Sequence, residues 1–583
     1  MRLAPRHAVT RLRRWLRSSE AAKILVALAV GIGAGFITAA LGLAAHGLQA
    51  LLYGVRINRL SALASIRHPL KLLALPLGGL LLALMARWTA RDQTSIDVVE
   101  ANALHGGRVP LSDSIRVCLQ TLISNGFGAS VGLEAAYAQA GGGGASLLGQ
   151  FLALRRGDLR ILVGAGAGAS IAAAFGAPLT GAFYAFEIVI GAYTPAAIAP
   201  VAVAALGGAL VTRMLGIDPY LIAASPIDRI GTLAYLLYAG LGITSAAVGI
   251  AIMRLQSALE REVPRLRLPS AWRPVLGGAL LMPIAWLSPQ ALSSGHGALR
   301  LELALHPAAG FLALVFVLKV VASIVSLSFG FRGGLFFASL FLGSLLGPIY
   351  AQGVNAAALH LFGSAMPLLD EQDAALVGMA ALAVGIVGGP MTLSLLVLEV
   401  THDFALTGVV ITASLCASAF TRANFGFSFS TWRLHQRGVG IRSARDVGWA
   451  ADLNAARLMR RDPTVVDAGL TVAGFRQAVP LGATGRALLA EAGRYRGIVA
   501  TAEAFDPELD PATPVADLAR LTDAAVLPDL RIGAILDRFE QLEVEDLAVV
   551  DHEGRILGAL TENYVRRRYI EESDKAQSAL FGE

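Results

Sequence analysis

The sequence predicts an all-α polytopic membrane domain with an inverted internal repeat and broken helices, followed by a small cytoplasmic α/β module. Three observations carry this expectation. Hydrophobic residues make up 55% of the 583 and charged residues only 15%, with a mean hydropathy of +0.61; a soluble enzyme carries about 25% charge. The charge is uneven: the chain up to Phe425 holds long charge-free runs, whereas the residues after Ser443 read as an ordinary soluble domain. Finally, several apolar segments are too short to cross a bilayer, and one motif occurs twice.

The N-terminal segment, 1–20, is basic. Arg2, Arg6, Arg11, Arg13, Arg14 and Arg17 precede the first apolar run, the positive-inside pattern that puts the N-terminus in the cytoplasm. The same pattern accounts for the net charge of +6 and the pI near 9.5 without a nucleic-acid partner. The run Ala21–Tyr53 is too long for a cleaved signal peptide. It exceeds the ~20 residues of a perpendicular span, so it tilts or extends beyond the bilayer. Pro69–Trp88 is a second span, and a polar stretch, Thr89–Leu111, follows.

Short, glycine-interrupted segments then recur at Glu134–Leu154, Leu159–Phe175 and Leu179–Ile190. Fuller spans come near Pro195–Leu215, Ile230–Leu259, Trp272–Leu287, Ala308–Leu327 and Leu335–Ala351, then Ala374–Val387, Met391–Val400 and Leu406–Phe420. Broken helices are tolerated only where their ends face protein or a wet cavity, as in transporters and channels. Cys118 and Cys416 lie far apart in apolar segments and read as small packing residues, with no disulfide framework or metal site.

The repeat is specific. Gly176-Ala177-Pro178-Leu179-Thr180 leads to Glu187, and Gly388-Gly389-Pro390-Met391-Thr392 leads to Glu399, with the same proline-to-glutamate spacing. Upstream of each, Gly132-Leu133-Glu134 echoes Gly334-Leu335-Phe336. The membrane domain, 21–432, therefore reads as two halves, about 21–215 and 230–425, with a site where they meet. Each proline opens a helix, and the helix N-termini are expected to turn free amides inward, which suits an anion. Glu134 stands among small residues in this apolar part of the chain. A carboxylate at that depth is costly and marks a functional site by default, and the surrounding glycines let backbone amides approach a passing ion.

These residues resemble the CLC chloride channels and chloride/proton antiporters over nearly the whole chain. Gly132-Leu133-Glu134-Ala135-Ala136 stands where the family has G-K/R-E-G-P, and Gln139 also matches. Phe175 to Gly181 with Glu187 resembles F-N-A-P-L-x-G and its trailing glutamate. Gly333-Gly334-Leu335-Phe336-Phe337-Ala338 resembles G-G-x-F-x-P, and Gly389-Pro390 with Leu398-Glu399 resembles the S-P-L…L-E segment. The resemblance implies a homodimer with a pore in each subunit. It implies that the Glu134 carboxylate competes with chloride or another small anion for the outer pore site, and that protonation moves it aside. Backbone around Gly132, Ala135, Ala136, Gly334, Leu335, Phe336 and Phe337 would bind the ion.

Three departures accompany the match. The first family motif, G-S-G-I-P-E, falls near Asp92–Asp97, where Thr94 or Ser95 is the candidate for the hydroxyl on the central anion. The family's pore tyrosine aligns with Ser430, so the phenol that closes the inner side is missing and the inner mouth is expected to be wider and less selective. Ile188 occupies the position of the antiporters' inner proton-transfer glutamate. Glu187 reads as structural at a helix end, and Glu399 as a partner for a nearby cation.

Arg433, Arg437, Arg442 and Arg445 flank the last span and put the C-terminus inside as well. After a linker, 433–452, the residues 453–574 are expected to alternate strands (Thr464–Val466, Tyr495–Val499, Ala524–Leu527, Asp546–Val550, Ile556–Leu560) with helices (Val515–Leu521, Ile532–Leu542), leaving a tail at 575–583. This module resembles a pair of CBS modules, best in Asp546–Asp551, Gly554 and Gly558–Thr561. Some CBS pairs bind adenine nucleotides through a threonine and an aspartate three residues on; here Thr561 is followed by Tyr564. Dimer contact or mechanical regulation is therefore favoured over nucleotide sensing.

No enzyme signature appears: Gly141–Gly144 lacks the lysine and hydroxyl of a phosphate-binding loop, and no metal-ligand spacing occurs. The expectation is a multi-pass protein of a bacterial inner membrane, with the lipid bilayer, a second copy and chloride as partners and no cofactor. Weakly coupled or passive anion conduction comes first, chloride/proton exchange second, and a non-conducting membrane sensor third. Selectivity is expected from backbone amides rather than fixed cations.

Overall fold

The computed structural model describes residues 19–55, 60–66, 68–89, 95–217, 231–305, 307–363, 369–437, 453–522 and 524–581. Residues 1–18 of the basic segment, Thr94 and 438–452 of the linker lie outside them. The chain divides into two compact units, Met1–Asp446 and Val447–Glu583.

The first unit is helical. Its first half contains α1 (Glu20–Tyr53), α2 (Ala74–Thr89), α3 (Val98–Leu104), α4 (Leu111–Gly126), α5 (Glu134–Phe151), α6 (Arg156–Phe175), α7 (Pro178–Tyr184) and α8 (Pro195–Met214). A π-helical turn, Ala185–Ile190, extends α7. The second half contains α9 (Thr232–Glu262), α10 (Arg273–Leu287), α11 (His296–Leu305), α12 (Ala309–Ser328), α13 (Phe336–Phe362), α14 (Glu371–Val387), α15 (Pro390–Thr401), α16 (Phe404–Asn424) and α17 (Phe429–Gln436). Among the described residues, eight helices are long and apolar enough to cross a membrane, and Pro178–Ile190 and Pro390–Thr401 are apolar but shorter. The short, proline-opened α7 followed by the longer α8 returns as the short, proline-opened α15 followed by the longer α16.

Local chemistry fixes the helix ends. Ser19 Oγ accepts from the Ala22 amide (3.3 Å) to start α1, Asp370 accepts from Gln372 (2.8 Å) and Asp373 (3.0 Å) to start α14, and Asp403 accepts from Leu406 (2.9 Å) to start α16. Gly176 (φ 66°) and Gly388 (φ 85°) terminate α6 and α14 in backbone conformations that disfavour other residues, and Pro178 and Pro390 open the next helices. Small residues let the helices approach closely. A Cβ on Gly141 would collide with the Gly166 backbone, and one on Gly343 with that of Gly378, the packing that drives association inside a membrane.

Several elements differ from expectation. Leu159–Phe175, expected to be short, belongs to the span-length helix Arg156–Phe175, whereas Met391–Val400, expected among the fuller spans, lies in the short helix Pro390–Thr401. The polar stretch at 89–111 contains a helix, α3, because Asp97 accepts from the Glu100 amide (2.7 Å) and caps it. The span expected to end at Ala351 continues to Phe362, Pro348 notwithstanding.

The second unit contains two copies of one β-α-β-β arrangement. β1 (Val465–Asp467) runs parallel to β2 (Arg486–Glu491), which is antiparallel to β3 (Arg494–Ala500); β4 (Ala525–Val526), β5 (Asp546–Val550) and β6 (Ile556–Thr561) repeat the pattern. Each copy has its register irregularity at the equivalent place, Leu489/Ala490 and Val549/Val550. The connecting helices are Val472–Ala478 and Ile532–Leu542, and each buries a phenylalanine completely, Phe475 and Phe539. This is the duplication that a CBS pair implies. Strand β2 was not foreseen: Arg486–Glu491 is rich in Ala and Leu, whose helical propensity is overridden by pairing on both sides. The helix expected at Val515–Leu521 is one 3-10 turn, Val515–Leu518. The boundary at 574 falls inside a helix, Glu562–Phe581.

Candidate functional site

The site begins with the backbone of 127–133, which is pinned by four hydrogen bonds. Tyr53 donates to Phe127 O (2.8 Å), the Ser293 amide to Gly128 O (3.1 Å), and Asn125 Nδ2 to Val131 O (2.8 Å), while the Ser130 amide donates to Ser326 Oγ (3.0 Å). The segment ends in a reciprocal pair: the Gly132 amide donates to Gly334 O (2.9 Å) and the Gly334 amide to Gly132 O (3.3 Å). These glycines are equivalent in the two halves, so the exchange is what a local two-fold axis produces. Two residues further on in each half, α5 and α13 begin, and their N-terminal amides, which have no intrahelical partner, meet there.

Glu134 sits at this meeting point and is 3% exposed. Its Oε2 has no hydrogen-bond partner among the described residues. The side chain folds back over Gly132, where a Cβ would collide with Oε2. On the other side, a Cβ built on Gly334 would lie 3.6 Å from the Ala135 nitrogen and 3.8 Å from that of Phe336. Two helix N-termini therefore flank a notch left open by a missing side chain. Partial positive charge from both helix dipoles converges there.

Glu134 lines two cavities of about 120 Å³ each. One is walled by Gln49, Asn125, Tyr137, Ser293, Ser294 and His296, among others. The other contains Asp97, Ala135, Gln139, Tyr184, Ile188, Arg332, Gly334, Leu335, Phe336, Ser430, Arg433 and Arg437. Of the residues expected at the site, Ala135, Gly334, Leu335, Phe336, Ser430 and Ile188 thus share a cavity with Glu134. Gly132, Ala136 and Phe337 are part of the supporting backbone. Ser95 is buried but lines neither cavity, because the capped start of α3 presents Asp97, Val98 and Val99 instead. In the second unit Thr561 and Tyr564 line a cleft of about 690 Å³ whose Asp546 is ion-paired with Arg486.

The proline motifs do something other than face an ion. Glu187 accepts from the amides of Met391 (3.2 Å) and Thr392 (2.9 Å) and from Thr392 Oγ1 (2.7 Å). Glu399 accepts from the amides of Leu179 (2.7 Å) and Thr180 (2.8 Å) and from Thr180 Oγ1 (2.7 Å). Each half's glutamate caps the proline-opened helix of the other half. The N-termini of α7 and α15 are consumed by these caps and are not free for an anion, and Glu399 pairs with amides rather than with a cation.

Sequence reasoning did not assign Lys319, Arg332 or Asp97 to the site. Lys319, inside α12, is fully buried and donates to Ser293 O (2.7 Å) and Ala291 O (3.3 Å), so it holds the wall of the Gln49 cavity. Arg332 sits immediately before Gly333-Gly334, and Asp97 and Arg332 line the Ile188 cavity together with Arg433 and Arg437. Fixed cations thus stand on the wall of a cavity that Glu134 also lines. The available signal was a charge within or beside an apolar span, which Lys319 and Arg332 both give. Aromatic packing steadies the other wall, with Phe336 5.6 Å from Phe175 and Tyr184 edge-on to Phe336 at 6.1 Å.

An ion-permeation fold of duplicated half-helices, with amides converging on one carboxylate, describes the voltage-gated chloride channel family. Its sequence profile matches residues 77–422, and the chain belongs to that family. It is 31% identical over 332 residues to a ClcB-like protein of Ralstonia nicotianae, covering 56% of this chain and 76% of that one. It is 26% identical over 412 residues to the voltage-gated ClC-type chloride channel ClcB of Salmonella typhimurium, covering 69% and 96%. Among solved structures, a slow cyanobacterial Cl⁻/H⁺ antiporter has a TM-score of 0.61 at 22% identity, covering 71% of this chain and 97% of that one. A eukaryotic CLC transporter has a TM-score of 0.59 at 18% identity, covering 93% and 97%, and its fold likeness thus extends beyond the membrane unit.

Proposed function

We propose that the protein carries chloride, or another small monovalent anion, across a bacterial inner membrane by a path that the Glu134 carboxylate closes. The observation behind this is that one buried carboxylate borders two cavities at the place where amides of α5 and α13 converge. A negative side chain there occupies the position an anion would take, and protonation releases it. The ion is held by amides in a dry, preorganised setting, as selective pores require, and no cofactor is needed. The protein works as a homodimer with a path in each subunit and both termini in the cytoplasm, and the second unit provides dimer contact or mechanical regulation.

Conduction with little or no proton coupling comes first, because Ile188 stands on the cavity wall and cannot carry a proton. Asp97, on the same wall, favours a second reading, chloride/proton exchange by a different inner carboxylate. Purified protein in liposomes under a chloride gradient separates the two through its reversal potential. A potential set by chloride alone supports conduction. One displaced by an imposed proton gradient, with the displacement lost in Asp97→Asn, supports exchange. Absence of any anion flux overturns both.

A further inference from the structure

Glu302, in α11, is a buried carboxylate that the anion path does not use. It is 8% exposed, and both of its carboxylate oxygens lack a hydrogen-bond partner among the described residues. Glu302 lines neither cavity beside Glu134. It lines a separate cavity of about 20 Å³, together with Glu371, Ser344 and Pro348. The second carboxylate is held in place: Gln352 Nε2 donates to Glu371 Oε2 (2.8 Å), and Gln352 Oε1 accepts from the Ala309 amide (3.0 Å). Asn355 exchanges hydrogen bonds with the backbone of Leu369 (2.9 and 2.8 Å), which fixes the start of α14 against α13. The first amides of α14 do not offset the charge of Glu302, because Asp370 accepts from those of Gln372 (2.8 Å) and Asp373 (3.0 Å). Pro348 adds an oxygen of another kind. It lies inside α13 and has no N–H, so the Ser344 carbonyl, one turn earlier, loses its helical donor. Two carboxylates and a carbonyl relieved of its donor thus border one small space.

A buried carboxylate with nothing opposite it is costly, and hard oxygen donors of this kind take alkaline-earth cations rather than softer metals. The space exceeds by little the ~10–15 Å³ that one water needs, so its occupant has shed most of its hydration. Mg²⁺ gives up water reluctantly and holds a near-octahedral shell, whereas Ca²⁺ accepts irregular sets of carboxylate, carbonyl and water oxygens.

We propose that Glu302, Glu371 and the Ser344 carbonyl form a Ca²⁺ site that joins α11, α13 and α14. Two carboxylates match the charge of the ion. Water completes its shell, since no group of three or more His, Cys, Asp or Glu side chains is placed to hold a metal among the described residues. The site does not depend on the proposed anion transport, yet it sits on helices that also frame the path. α11 begins at His296, on the wall of the Gln49 cavity, and α13 begins at the notch beside Gly334. A bound ion ties these helices to α14 and, because it binds the folded chain, stabilises it by mass action.

The test uses the full-length protein, purified in detergent and stripped with a calcium chelator. Thermal unfolding is followed as calcium chloride is added, and bound calcium is counted by equilibrium dialysis. The wild type is expected to bind calcium saturably and to unfold a few degrees higher when loaded, with no such rise in magnesium chloride or in sodium chloride of equal ionic strength. Glu302→Gln keeps the shape of the side chain and removes its charge, and Glu371→Gln does the same at the half-buried partner, so the test stands on the second if the first does not fold. Each is expected to lose the rise and most of the bound calcium, whereas Glu134→Gln keeps both. Absence of calcium binding by the wild type at millimolar calcium overturns the proposal. So does a rise that persists in Glu302→Gln and Glu371→Gln, which places the calcium elsewhere, or a response to sodium or magnesium as large as that to calcium. A wild type indifferent to calcium beside an equally stable Glu302→Gln also overturns it, because that is the mark of a carboxyl group that is simply protonated. If the protein carries no anion flux yet binds calcium in this way, the transport reading fails and the site stands.

Discussion

The two halves of the membrane unit agree in scaffold and differ in chemistry. Gly132 and Gly334 exchange backbone hydrogen bonds, Glu187 caps the helix opened by Pro390, and Glu399 caps the one opened by Pro178. Each of these devices has a counterpart in the other half. At the next equivalent pair the match ends, because Glu134 faces Phe336. One half supplies an ionisable group to the shared notch and the other supplies an aromatic wall packed on Phe175. Duplication built a frame in which two helix N-termini meet, and a single unlike pair turned that meeting point into a place with one titratable group.

The comparison breaks most severely if the shared devices are removed. Glu187→Ala leaves two amides and the Thr392 hydroxyl unmatched, at roughly 1–3 kcal/mol for each buried group. Glu399→Ala leaves the equivalent set, of which Leu179 is exposed. Both are expected to lower the unfolding temperature in detergent, Glu187→Ala at least as much as Glu399→Ala, with Glu187→Gln and Glu399→Gln milder. A loss confined to transport, with unaltered thermal stability, would assign these glutamates a role in the path instead.

A smaller effect is expected at Gly132, where the halves meet. Gly132→Ala places a methyl group where Glu134 Oε2 lies, so the carboxylate is driven into one of the cavities. Anion flux is expected to rise and to lose much of its pH dependence. Flux and pH dependence both at wild-type levels would mean that the carboxylate is not held over Gly132. The mildest change is Ser430→Tyr. A phenol added to the wall of the Ile188 cavity narrows it, and flux of large anions is expected to fall more than that of chloride. Equal reduction for all anions would show that Ser430 does not set the width of this mouth.

Much of the frame was legible in the chain. The proline-to-glutamate spacing exposed the duplication, and Glu134 between glycines in an apolar region marked the site, because both signals are local. What the glutamates of the repeat do was not legible. Their partners are 205 and 219 residues away, and only the fold brings them together. Asp97 was hidden by a different cause: the expected polar stretch concealed a short helix whose cap turns that residue toward the cavity. Lys319 and Arg332 were visible as charges beside or within apolar spans, yet their positions on the cavity walls depend on packing between α12, α13 and the loop at Ser293.

The asymmetry between Glu134 and Phe336 is tested most directly by anion flux into liposomes as a function of pH, with wild type and Glu134→Gln compared. The wild type should conduct faster as pH falls and the carboxylate is neutralised. Glu134→Gln should conduct at every pH at or above the fastest wild-type rate, with no pH dependence. A Glu134→Gln variant that keeps the wild-type pH dependence would contradict the assignment of Glu134 as the group that closes the path.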